Sequence, residues 1–208
     1  MSSPVPPAAS DDPQALDLLE LECARLFALL GRLLVAPPDG ALLASLRTLR
    51  GEAGTVLGAA YERLAEAARQ TSPEQVEREF HALFIGIGRG ELLPFASYYL
   101  TGFLNERPLA ELRESLGRLG VERAPGVSEP EDHLGFLCET MAGLVAGVFP
   151  ATPEAAAEFF ARHLQPWAMR CFADLEAAES ARFYRAVGAL GRAALEIEIA
   201  AADLPRRA

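Results

Sequence analysis

Apolar residues recur at intervals of three and four along most of this chain, and Pro, Gly and short polar residues mark where each run starts and stops. The first run, Leu16, Leu19, Cys23, Leu26, Phe27, Leu30, Leu33 and Leu34, sets one apolar face on a helix. Asp12 is placed to cap it, with Pro13 in its first turn, and Pro37-Pro38-Asp39-Gly40 ends it. Further helices are predicted over 40–50 and 53–70. Ser72-Pro73-Glu74-Gln75 has the spacing of a capping box. It opens a helix whose Val76, Phe80, Leu83 and Phe84 share a face. Gly86, Gly88, Gly90 and Pro94 make 86–94 a loop. Helices follow over 96–105 and 108–119. A second loop, holding Pro125 and Gly126, leads to helices over 130–148, 153–177 and 180–203. Alternating β-branched runs and hairpin turns are missing. The expected architecture is all-α, a single helical-bundle domain of eight or nine helices over 11–204. A disordered tail at 1–10 precedes it, and 120–129 is a candidate hinge between two helical halves.

The chain has 208 residues, half of them hydrophobic, enough for a substantial core. Its 19 basic residues are all arginine, and against 29 acidic ones they leave a net charge of −10. That balance argues against a nucleic-acid partner, which requires a positive surface to displace counterions, and favours a cationic one. Cys23, Cys138 and Cys171 are odd in number and widely spaced, so each reads as a small buried hydrophobe in a reducing compartment. The first ten residues lack the charged start and apolar centre of a signal peptide. No apolar stretch approaches the ~20 residues of a membrane span. Arg206-Arg207 has no apolar run after it and reads as a polar tail. A cytoplasmic protein without membrane insertion is expected.

Catalytic patterns are sparse. His81, His133 and His163 lack the i, i+4 histidine partner of a helical metal site. Without lysine there is no phosphate loop of the Gly-x4-Gly-Lys type, and Gly86-Ile87-Gly88-Arg89-Gly90 follows a helix where a dinucleotide loop follows a strand. In Glu129-Pro130-Glu131-Asp132-His133, Pro130 fits a first helical position and the acids suit a positive helix end. Glu129 and His133 share a face, as an ion pair, a cap or two of three metal ligands. Binding fits better. Phe80, Leu83 and Phe84 form an apolar ridge, and Pro94, Phe95, Ser97, Tyr98 and Tyr99 follow, either as core or as a docking surface. Convergence of the ridge with the acidic corner would give an apolar groove with a negative rim, suited to an apolar peptide with nearby arginines.

Three blocks carry a resemblance. They are Glu79-Phe80-His81-Ala82-Leu83-Phe84-Ile85-Gly86 with Pro94-Phe95-Ala96-Ser97-Tyr98-Tyr99-Leu100; Glu129-Pro130-Glu131-Asp132-His133-Leu134; and Phe159-Phe160-Ala161-Arg162-His163-Leu164-Gln165-Pro166-Trp167 with Phe172. In this order they resemble the TorD/DmsD/NarJ family, chaperones of molybdenum-cofactor redox enzymes. The resemblance implies an all-helical, non-enzymatic cytoplasmic protein without a cofactor or metal of its own. It would bind the twin-arginine signal peptide, the apo catalytic subunit of a molybdoenzyme, or both, and hold the client for cofactor insertion. Molybdenum-cofactor biosynthesis proteins are further implied partners, and the chaperone would be a monomer or homodimer. By the same resemblance, Asp132 and His133 are the acid–imidazole pair implicated in peptide binding, and Phe80, Leu83 and Phe84 the ridge. Family members often carry tryptophan at the position of Phe80. Asp132 and Glu129 would meet guanidinium groups, and His133 would tune binding near neutral pH. His163 and Trp167 are expected to be structural. The competing expectations are a metal- or nucleotide-dependent helical enzyme centred on Glu129, Asp132 and His133, and a non-catalytic scaffold subunit.

Overall fold

The computed structural model describes residues 13–122, 129–149 and 151–202. Within them lie ten α-helices and two five-residue π turns, and the only β pairing is an isolated bridge. The helices are α1 (Pro13–Val35), α2 (Gly40–Leu46), α3 (Val56–Arg69), α4 (Pro73–Phe80), α5 (Ala96–Thr101), α6 (Arg107–Leu119), α7 (Leu134–Val145), α8 (Pro153–Phe159), α9 (Ala168–Ala177) and α10 (Phe183–Ala202). The all-α class holds. The tail at 1–10, the cap at Asp12 and most of the loop at 120–129 fall outside the described residues.

Local chemistry accounts for most boundaries. The capping box at Ser72 is complete: Gln75 N–H donates to Ser72 Oγ (3.3 Å), and Ser72 N–H donates to Gln75 Oε1 (2.9 Å). Asp39 and Thr55 cap α2 and α3 by accepting from Leu42 and Gly58 N–H. After α4 the chain widens into the π turn His81–Ile85, closed by a 2.7 Å bond from Gly86 N–H to the His81 carbonyl. Gly86 then takes φ +63°, and a Cβ there would run into the Arg89 carbonyl, so only glycine fits this turn.

Two sequence expectations change. The helix expected over 153–177 is two helices, because Pro166 interrupts it. Proline brings no N–H, and its ring collides with the carbonyl four residues back. The backbone responds with the π turn Phe160–Leu164 and restarts at Ala168, which raises the helix count to ten. The helix expected from 130 starts at Leu134, with His133 as its cap. Pro130 therefore lies before the helix and not in its first turn.

The core draws on α1 (Phe27, Leu30, Leu34), α7 (Leu134, Leu137, Met141) and α10 (Tyr184, Val187, Leu190), all at most 2% exposed. Each such side chain contributes about 1.5–3 kcal/mol on burial. α1 lies along α7, and α10 packs on α9 and α3. Cys138 and Cys171 are buried as expected, while Cys23 is half-buried and donates to Glu198 at 2.8 Å.

The entry to α10 is capped from a distance. Glu79, on α4, accepts from the N–H groups of Arg182 (2.7 Å), Phe183 (3.1 Å) and Tyr184 (2.7 Å). These are donors that a helix start leaves without intrahelical partners. Glu91 does the same for Glu179 and Ser180 in the preceding turn. Replacing Glu79 with Ala is expected to cost about 2–4 kcal/mol, since charged hydrogen bonds contribute more than neutral ones. Glu77→Ala, at an exposed site on the same helix, should change stability by less than about 0.5 kcal/mol. Urea unfolding of both variants checks the contrast.

Candidate functional site

The second sequence block and the end of the first meet where α5 and α7 begin. Phe95 and His133 form the isolated antiparallel bridge. Ala96 N–H donates to the Asp132 carbonyl (2.9 Å), and Leu134 N–H donates to the Pro94 carbonyl (2.8 Å). The Asp132 carboxylate turns inward, and Oδ2 accepts from Ser97 N–H at 2.8 Å. Phe95 offers α5 no side-chain cap, so Asp132 caps that helix from 35 residues away. His133 caps its own helix: Nδ1 accepts from Gly135 N–H at 3.1 Å, and the ring meets Phe95 edge-on at 5.1 Å.

This junction is closed. Asp132 is 0% exposed and His133 7%, and Pro94 and Ser97 are buried beside them. The Asp132 carboxylate, expected to meet guanidinium groups, is turned away from solvent in this placement, where the residue holds two helix starts together. Asp132 Oδ1 and Ser97 Oγ are nevertheless without hydrogen-bond partners among the described residues. Buried polar atoms in that state are costly and are ready acceptors for any donor that reaches them. At the rim, Glu129 is exposed, and Glu131 accepts two bonds from Arg113 (3.0 and 2.8 Å).

The apolar ridge also turns inward. Phe80 and Leu83 are 8% and 0% exposed, and only Phe84 keeps a partly open face. Phe80 and Phe84 stack with Tyr184 of α10 at 5.9 and 5.4 Å. The ridge therefore belongs to a ring cluster built on α10, while Phe95 pairs with His133. Tyr99 is buried: its hydroxyl donates to Asp174 (2.9 Å), its ring meets Trp167 (5.3 Å), and Arg170 lies over it at 4.8 Å. Tyr98 is half-buried and receives a 3.1 Å bond from Arg89, which ties the glycine-rich loop to α5.

Sequence reasoning missed the exposed apolar residues around α5. Ile87 is fully exposed, Phe103 is 69% exposed, and Ile85, Leu100 and Leu104 each exceed 40%. The signal was present: large apolar residues in a glycine-rich loop, or just after a helix, belong to no helical face. His163 and Trp167 are structural as expected. Trp167 is 2% exposed and donates to the His163 carbonyl at 2.7 Å, while His163 Nε2 shares a 2.9 Å hydrogen bond with Ser115. Among the described residues no three His, Cys, Asp or Glu side chains gather as a metal site, and no helix is long and apolar enough to cross a membrane.

Burial pushes His133 down to about 4, and burial with Arg162 nearby does the same to His163. His133 is thus neutral near pH 7 in the free protein. The unfolded chain takes up this proton near the ordinary value of about 6.5. Stability linked to His133 is therefore complete above that pH. It falls by up to about 1.4 kcal/mol per pH unit as pH drops toward 4. His133→Asn keeps a capping side chain without the titration. Its urea midpoint should decline less steeply than the parent's between about pH 6.5 and 4, and parallel declines would contradict this assignment.

Comparison with known proteins agrees with this architecture. The family model described as nitrate reductase delta subunit matches residues 51–173, which include all three sequence blocks. A TorD chaperone protein of Vibrio cholerae is 32% identical over 108 residues, 48% of this chain and 49% of the relative. A TorD chaperone protein of Aliivibrio salmonicida is 25% identical over 129 residues, 57% of this chain and 60% of the relative. The matched part thus spans only about half of these relatives. A crystal structure from Archaeoglobus fulgidus, of a candidate redox enzyme maturation protein, superposes with a TM-score of 0.54. It covers 91% of this chain and 98% of its own at 19% identity, a likeness of fold. With more than half of its length matched, the chain belongs to the nitrate reductase delta subunit family.

Proposed function

We propose that this protein is a cytoplasmic maturation chaperone for a molybdenum-cofactor oxidoreductase. It acts by occupancy, without bond chemistry, and binds the client's twin-arginine signal peptide, its apo catalytic subunit, or both until the cofactor is inserted. Family membership and the chaperone names of the TorD relatives support the chaperone role. The observation that carries the peptide-binding part is the set of exposed apolar side chains around α5, Ile87 and Phe103 above all. A twin-arginine signal joins cations to an apolar stretch. The apolar stretch would cover Ile87 and Phe103, and the net charge of −10 would attract the cations. Glu129 is the exposed acid of the corner. A guanidinium reaches Asp132 Oδ1 only if the start of α5 lifts away, which makes Asp132 and Ser97 a second, induced part of the site.

Calorimetric titration with a synthetic signal peptide from a molybdoenzyme encoded beside this gene tests the proposal. The parent should bind in the micromolar range. Ile87→Glu and Phe103→Glu, both at exposed sites, should each weaken binding roughly tenfold with unchanged melting temperature. A folded parent that ignores such peptides, or surface variants that bind like the parent, would overturn the peptide-binding role.

A further inference from the structure

The seam between α3 and α10 carries chemistry that signal-peptide binding does not use. The two helices run antiparallel. Ala67 of α3 and Gln70 just after it lie near Arg182 and Arg185 at the start of α10, and Val56 and Ala59 lie near Arg192 and Glu196 further along it. Three hollows of about 470, 350 and 310 Å³ follow this seam. The first two share Arg182 and Arg185, and the last two share Arg63 and Ala189, so they form one trough. It runs beside the 14-residue α3, or roughly 20 Å at the helical rise.

The floor is made of small residues, and the walls carry arginines and glutamates. Ala60, Ala186 and Ala193 are buried beneath the trough, while Arg63, Arg78, Arg182 and Arg185 are exposed along it. Among the described residues none of these four arginines is in an ion pair with a carboxylate. The neighbouring acids are already engaged. Glu79 caps α10, Glu66 pairs with Arg69, and Glu176 and Glu196 pair with Arg192. In a chain of net charge −10 the trough, lined by five arginines and four glutamates, is a locally positive stretch.

We propose that the trough is a docking site for an acidic helix of a partner polypeptide. Alanines on the floor let a third helix approach to ordinary packing distance. Carboxylates three or four positions apart along that helix then face Arg63, Arg182 and Arg185, where charge-assisted bidentate bonds form. A small phosphate-bearing ligand suits the seam less well. It would fill one hollow, and the N–H groups at the start of α10 that would hold a phosphate are bound by Glu79.

The probe is a dye-labelled, end-blocked peptide of Ala and Leu with Glu at every third or fourth position, about four turns long. Fluorescence anisotropy at low salt compares it with the same peptide carrying Gln for Glu. The full chain should bind the Glu peptide and not the Gln peptide. The Arg63 and Arg78 side chains are exposed and make no hydrogen bond among the described residues, so the double variant Arg63→Glu with Arg78→Glu should fold normally. It should bind the Glu peptide roughly tenfold more weakly, with signal-peptide binding unchanged. Several outcomes would overturn the proposal: no binding by the folded parent, equal binding of the Gln peptide, or equal binding by the variant. Displacement of the Glu peptide by tripolyphosphate at lower concentrations than the unlabelled peptide requires would make the trough a small-anion site instead.

Discussion

The close crossing of α1 and α7 fixes where the rest of the molecule can go. A methyl group on Gly31 would lie 2.6 Å from Glu139 Cγ and 3.0 Å from the Gly135 carbonyl. One on Gly135 would lie 2.7 Å from Val35 Cγ2. Two helices therefore touch through glycine faces, and their flanking leucines interlock on either side as close-packed interiors require. That contact sets the first turn of α7 against α1. It thereby places His133 and Asp132, which immediately precede that turn, against the start of α5.

Three acids from the sequence blocks and the loop between them then do similar work. Glu79 holds the entry to α10, Glu91 the turn before it, and Asp132 the entry to α5. Each supplies negative charge and hydrogen-bond acceptors to backbone donors at a helix start or in the turn before it. The acidic character of this chain is thus partly internal. It knits short helices together across long sequence separations, and α5, with only six residues, depends on such help.

With those acids engaged by backbone donors, the outer surface divides by chemistry. Around α5, large apolar side chains stand in solvent. Along α3 and α10, arginines and glutamates line an alanine floor. The two proposed partners are opposite in chemistry, one apolar with cations and one helical with carboxylates.

Helix content and most helix starts were legible in the sequence, because capping and the 3.6-residue period are local properties. Ser72 with Gln75, Gly86 and the apolar face of α1 needed no tertiary information. Two local signals were read too simply. Pro166 broke a helix drawn straight through it, and Pro130 looked like a first-turn residue although α7 starts at Leu134. The site residues were legible by type and not by orientation. Phe80, Leu83, Asp132 and His133 stand in the sequence as a ridge and an acid–imidazole pair. Which way each side chain faces depends on what packs against it. Tyr184 receives the ridge and Ser97 receives the carboxylate, from more than 100 and from 35 residues away. Sequence alone thus determined the helices and their family, since those follow from local pattern. Only the tertiary structure decided what is buried and what is offered to a partner, because burial is set by contacts between segments that the sequence keeps far apart.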